Sequence, residues 1–200
     1  MISKNLGNII KYIANKCNRP TTMKLQKLAY ISYCWYLTCY NKKLFSDNIL
    51  AYKDGPVIDE LFKLHRGARF FNNSLVDSFE LNVLSSDVKL ILDNVLAFYG
   101  DKSGDELSEL THKTYTPWSI AKNNNVAKLD DEVIKNYYLN HFPQITMLPI
   151  IKDVLKLDLN FNTDSISKFI EENPTYDDRD RTYLKNNHPS HTRLKQLGIL

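Results

Sequence analysis

Two residue pairs in this chain have the spacing of metal ligands. Glu109 and His112 are three apart. On a helix that spacing puts both on one face, as in carboxylate-bridged dinuclear metal sites. Such a site draws on two copies of the motif and two further glutamates, and the chain has one copy. His188 and His191 form the second pair. A tetrahedral zinc there would need two more ligands, and no Cys or His pair offers them at a useful spacing. Both pairs therefore read as an ordinary surface residue with a packed histidine and as stray tail histidines, and neither a metal nor a cofactor is expected. Other chemistries are equally thin. With 6 glycines, the chain contains no dinucleotide fingerprint, no phosphate-binding loop and no nucleophile elbow. Glu106 and Glu109 lie among solvent-facing polar residues, a poor setting for acid–base work. Cys34 and Cys39 sit in the most apolar stretch, whereas a reactive thiol needs exposure and a lowered pKa. The expectation is a protein that is not an enzyme.

One stretch has recognition chemistry instead. Lys53-Asp54-Gly55-Pro56 places a rigid turn between a strand and a helix. It reads equally as plain turn chemistry or as a turn presenting side chains to a partner. His65, Arg66 and Arg69, at and just beyond the next helix, would extend that surface. Candidate partner-binding residues are therefore Lys53, Asp54, Gly55, Pro56, His65, Arg66 and Arg69.

These residues must be held by the elements around them. Two hundred residues suit one domain with an appendage, and 43% hydrophobic with 24% charged residues is a globular composition. From Leu28 to Tyr40 only Ser32 and Thr38 are clearly not apolar. A helix apolar nearly all round belongs in the centre of a domain. It is cut by Lys24, Gln26 and Lys27, so it is no membrane span. No secretory signal is apparent, and three cysteines in a chain large enough to need no staples read as reduced thiols. A cytoplasmic location is the expectation.

Net charge is +3, but eight basic residues precede the first acid, Asp47. That basic face suits nucleic acid or an acidic protein, or is simply a solvated surface. A pI near 8.6 is low for a dedicated nucleic-acid domain.

Taken in order, the spacing predicts helices over 3–17, 22–40, 56–65, 86–99, 105–112, 117–122 and 131–141. Thr21 or Thr22 caps the second, and Pro56 is read as the first residue of the third. A short strand is expected at 49–53, with a pairing strand somewhere in 67–85. Leu28, Trp35, Tyr52 and Trp118 are expected core anchors. The fold class is mainly α: a compact helical domain at 1–142 around the central helix, with a short two-stranded β element. Residues 143–200 form a C-terminal helical extension packed on it.

Three blocks, in this order and spacing, carry a resemblance. They are Met23-Lys-Leu-Gln-Lys-Leu-Ala-Tyr30 with Trp35; Ala51-Tyr52-Lys53-Asp54-Gly55-Pro56-Val57; and Leu107-Ser-Glu-Leu-Thr-His112 with Pro117-Trp118. Together they resemble the Panacea domain, the SocA-like family also described as phage-associated GepA-like proteins, over about residues 4–141. The resemblance implies an antitoxin that binds and neutralises a protein toxin encoded by a neighbouring gene. Alternatives it leaves open are a proteolytic adaptor, delivering the toxin to an ATP-dependent protease, and a nucleic-acid-binding regulator using the basic N-terminal helices. No catalytic residues carry over from the family.

Overall fold

A computed structural model describes residues 2–149. The chain divides into two units between His141 and Phe142. The helices expected near 150–155 and 166–170, the turn-rich 186–190 and the His188/His191 pair lie outside the described residues.

The first unit contains α1 (Lys4–Lys16), α2 (Thr22–Tyr40), β1 (Ile49–Tyr52), β2 (Gly55–Ile58), α3 (Asp59–His65), α4 (Ser86–Tyr99), α5 (Gly104–His112), α6 (Pro117–Asn123) and α7 (Asp131–His141). Helix starts follow local chemistry. Side chains of Ser3, Thr21, Ser85 and Thr116 each accept a first-turn amide, and Ser103 with Glu106 forms a reciprocal capping box. Asp130 Oδ1 accepts the amides of Glu132 and Val133 at the start of α7. Asn41, at φ 50°, turns the chain out of α2. The second unit's described part is a 3-10 turn, Pro143–Met147.

α2 is the centre. Every residue from Leu25 to Trp35 is buried, and α1, α4, α5, α7 and β2 pack around it. Leu28 is fully buried, and Trp35 is wedged against the rings of Phe98 and Tyr99 at 5.7 and 5.9 Å. Ser32 and Thr38 are satisfied within the helix, donating to Leu28 O and Cys34 O. Tyr52 and Trp118, expected as core, are only half-buried. No helix among the described residues is long and apolar enough to cross a membrane.

Two expectations fail. Pro56 does not start a helix. It lies in β2, antiparallel to β1 and opposite Ala51, and α3 begins at Asp59. Lacking an N–H, Pro56 has none to give the ladder, and the Ala51 amide turns to Ala127 O on the far side of β1. The strand expected in 67–85 is also absent; a 3-10 turn, Asn73–Val76, stands there. That segment is strapped to α1 by side chains. Lys11 Nζ donates to Asp77 O and Phe79 O, Asn8 Oδ1 accepts the Glu80 amide, and the Phe79 ring fills the space a Cβ on Gly7 would need. The main chain there bonds to these side chains, to its own turns and, at Arg69 and Phe71, to the 20–22 segment instead of pairing with β1, which is why its partial alternation misleads.

The basic face is smaller than the sequence suggests. Lys11, Lys24 and Lys27 donate to main-chain carbonyls of the same chain, and Lys43 pairs with Asp131 at 2.7 Å.

Candidate functional site

The β1–β2 hairpin turns at Lys53 and Asp54, with Gly55 next at φ +101°. A two-stranded hairpin is marginal alone in water. Here side chains from three helices take up its carbonyls. Trp118 Nε1 of α6 donates to Tyr52 O at 2.8 Å. His112 Nε2 of α5 lies 3.3 Å from Lys53 O. Lys27 Nζ of α2 donates to Asp54 O at 2.7 Å and Pro56 O at 3.2 Å, and Ser108 Oγ of α5 adds 3.2 Å to Asp54 O. Gln26 closes the far end: its Oε1 accepts the Ile58 amide at 3.0 Å and its Nε2 donates to Ile58 O at 3.2 Å.

These groups have the types a catalytic site would use, but most of their hydrogen-bonding capacity is taken; with its proton on Nδ1, the His112 Nε2 beside Lys53 O has none to donate. His112 Nδ1 lies 2.7 Å from Ser108 O and so carries its proton toward that carbonyl. No lone pair on Nδ1 is then left to draw a proton from Ser108 Oγ, although the two atoms are 3.2 Å apart. The His112 ring stands edge-on to Trp118 with centroids 4.3 Å apart. Glu109, its helical neighbour, is exposed.

Gln26 also meets His65, with Nε2 to Nε2 at 3.1 Å. Since Gln26 Nε2 donates, His65 Nε2 accepts, and the ring proton sits on Nδ1. Burial accordingly lowers the His65 pKa. Gln26→Ala leaves both polar groups of Ile58 buried and unpaired, so it lowers stability by about 2–4 kcal/mol. Urea unfolding should show a lower midpoint at an unchanged slope.

The buried titratable groups set a pH window. Neutral His65 contributes stability above its unfolded pKa near 6.5 that is lost as pH falls below it. Burial pushes the Cys34 and Cys39 thiols from 9.0 up to about 12, so their contribution is present below pH 9 and lost as pH rises through 12. Lys27 acts oppositely. Burial lowers it from 10.5 to about 8 against the raising effect of Asp54, so its burial weighs less on the fold between those values as pH rises. Two thiols outweigh one amine above pH 9. Thermal midpoints should be level between pH 6.5 and 8, rise slightly toward pH 9 as buried Lys27 loses its proton, and fall above it, and Cys34→Ala should flatten the alkaline fall.

The predicted site residues separate into three places. Lys53 and Asp54 are exposed at the turn, while Gly55 and Pro56 are buried beneath it. His65 is 6% exposed and belongs to the Gln26 network, so it offers no surface. Arg66 and Arg69 are exposed on the loop after α3, and Arg69 lies over Phe70 with its guanidinium carbon 5.6 Å from the ring centroid. Sequence reasoning missed Gln26, Lys27, Ser108 and His112 as the hairpin's holders. The signal was present: a helix with no wet face has nowhere to put a lysine except against internal acceptors.

The three blocks that carry the resemblance are thus the residues that bind the hairpin to its helices. Comparison with family models gives a match over residues 25–119 to the family described as antitoxin SocA-like, Panacea domain. That span runs from the start of α2 through Trp118, narrower at both ends than the expected 4–141. No curated protein and no solved structure matches. From α2 to the hairpin's last donor, the chain matches the Panacea domain of the antitoxin SocA-like family.

Proposed function

We propose that this protein is the antitoxin of a toxin–antitoxin module and neutralises a cognate protein toxin by direct binding. The observation that supports this most is the fate of the motif residues. Gln26, Lys27, Ser108 and Trp118 spend their polar atoms on the protein's own hairpin, and His112 donates within its own helix to Ser108 O. The outer surface is then left for recognition, which suits a binding protein in an antitoxin-like family. Lys53 and Asp54 at the turn and Arg66 and Arg69 beyond α3 are the candidate toxin contacts.

The test is co-expression. Growth arrest caused by the product of a neighbouring gene should be relieved by this protein, and the two should co-elute. No rescue against any neighbour overturns the proposal. Toxin half-life, measured with and without this protein, distinguishes holding from delivery to a protease: unchanged turnover identifies sequestration, and shortened turnover an adaptor.

A further inference from the structure

We infer that Arg19, Arg69 and Phe70 form a docking surface for an acidic, aromatic-bearing segment of a protein partner. That the partner is the toxin rests on the antitoxin reading; the surface itself rests on the geometry and charge of these three residues.

Arg19 and Arg69 are two of the three arginines among the described residues, and they come from separate stretches of chain. Arg19 and Arg69 both lie over Phe70, with guanidinium carbons 5.1 and 5.6 Å from its ring centroid. Phe70 is 41% exposed, and all three arginines are exposed. The backbone beneath is fixed. The Phe71 amide donates to Pro20 O and the Thr22 amide to Arg69 O, each at 3.0 Å, and Thr22 Oγ1 donates to Ala68 O at 2.9 Å. Arg19 is held at φ 51° and Gly67 at φ 83°.

The cations here have no carboxylate. Among the described residues none of the three arginines makes an ion pair, whereas Lys43, Lys63 and Lys135 each do. The nearby acids of α3 are already engaged: Asp59 and Glu60 both pair with Lys63. A guanidinium stacked on an aromatic face keeps its N–H edge free, and that fork matches a carboxylate in two parallel hydrogen bonds. Stacking also settles the side chains before binding, which reduces the entropy lost on association. Exposed Arg and aromatic residues together are the composition of interface hot spots.

A nucleic acid fits less well. Its affinity rises with the number of phosphates neutralised. This surface has two cations, and Lys11, Lys24 and Lys27, which would extend it along α1 and α2, are held against main-chain carbonyls of the same chain.

The full chain is titrated by fluorescence anisotropy with three probes: a labelled peptide of alternating Glu and Tyr, its Gln-and-Tyr counterpart, and a single-stranded DNA of equal length. The acidic peptide should bind about ten-fold or more tighter than the Gln peptide. Arg19→Glu with Arg69→Glu should weaken the acidic peptide by a similar factor at an unchanged thermal midpoint, and Phe70→Ala should weaken it as well. Arg19→Gln with Arg69→Gln serves if charge reversal disturbs the fold. Equal binding by wild type and a folded double variant overturns the inference. So does tighter binding of DNA than of peptide. The same variants are run in the growth-rescue assay. A wild type that binds the acidic peptide through these arginines but rescues no neighbour sinks the antitoxin reading and leaves this surface standing.

Discussion

Gly55→Ala should destabilise the protein by about 3–5 kcal/mol. Two effects add. Gly55 sits at φ +101°, where an L side chain is strained by about 1–3 kcal/mol. A Cβ built there would also fall 2.3 Å from Lys27 Nζ, 3.1 Å from His112 Cε1 and 3.3 Å from Thr111 Oγ1. The ammonium must move, and moving it strips buried Pro56 O of its donor and leaves Asp54 O with Ser108 Oγ alone, at about 1–3 kcal/mol for the buried group left unpaired. Against a whole-domain stability of about 5–15 kcal/mol, that is enough to leave the protein marginal at growth temperature. Chemical denaturation measures it directly. A loss under about 1 kcal/mol would mean that the hairpin tolerates displacement and that the convergence of side chains on it matters little.

Lys27→Ala should fall in the same range, about 3–5 kcal/mol, for different reasons. Lys27 is fully buried, so its four-carbon stem is core, and truncating such a stem leaves a cavity. Pro56 O loses its donor as well, while Asp54 O keeps Ser108 Oγ. Lys27→Met separates these effects. It keeps the stem, removes the ammonium and relieves the burial of a charge, so its loss should be smaller, about 1–3 kcal/mol. The Met variant should also lose the alkaline gain assigned to Lys27 between pH 8 and 10.5. Because the added Cβ of Gly55→Ala acts through Lys27, the pair Gly55→Ala and Lys27→Met should be less than additive in a double-mutant cycle.

The helical frame is legible because its signals are local. Ser3, Thr21, Ser85 and Thr116 cap the helices they are expected to start, or flank them within a residue, and α2 is buried along the stretch where polar residues run out. The expectations that fail depend on residues far away in the chain. Pro56 before Val57 and Ile58 looks like a helix start because φ near −65° serves an N-terminal turn as well as a strand without an amide partner. Only the pairing with β1 decides, and pairing is not a local property. The 67–85 segment has some alternation, but its main chain is taken up by Asn8 and Lys11 from α1, by the 20–22 segment and by its own turns. The hairpin's holders are hidden for the same reason. Lys27 looks like an interruption of an apolar run, and its purpose depends on carbonyls at 54 and 56. Even the buried Gly55 and Pro56 read as surface, because a turn sequence does not announce what covers it.

The hairpin's dependence on distant donors bears on how the chain assembles. A polypeptide leaving the ribosome exposes Lys53–Pro56 long before Ser108, His112 and Trp118 have been made. Until those arrive, the turn's carbonyls stay hydrated, and closing such wide loops is slow compared with winding α1 or α2. The hairpin should therefore set late in synthesis. In a nascent chain arrested after α4, amide exchange at Val57 and Ile58 should be fast, and release beyond α6 should slow it.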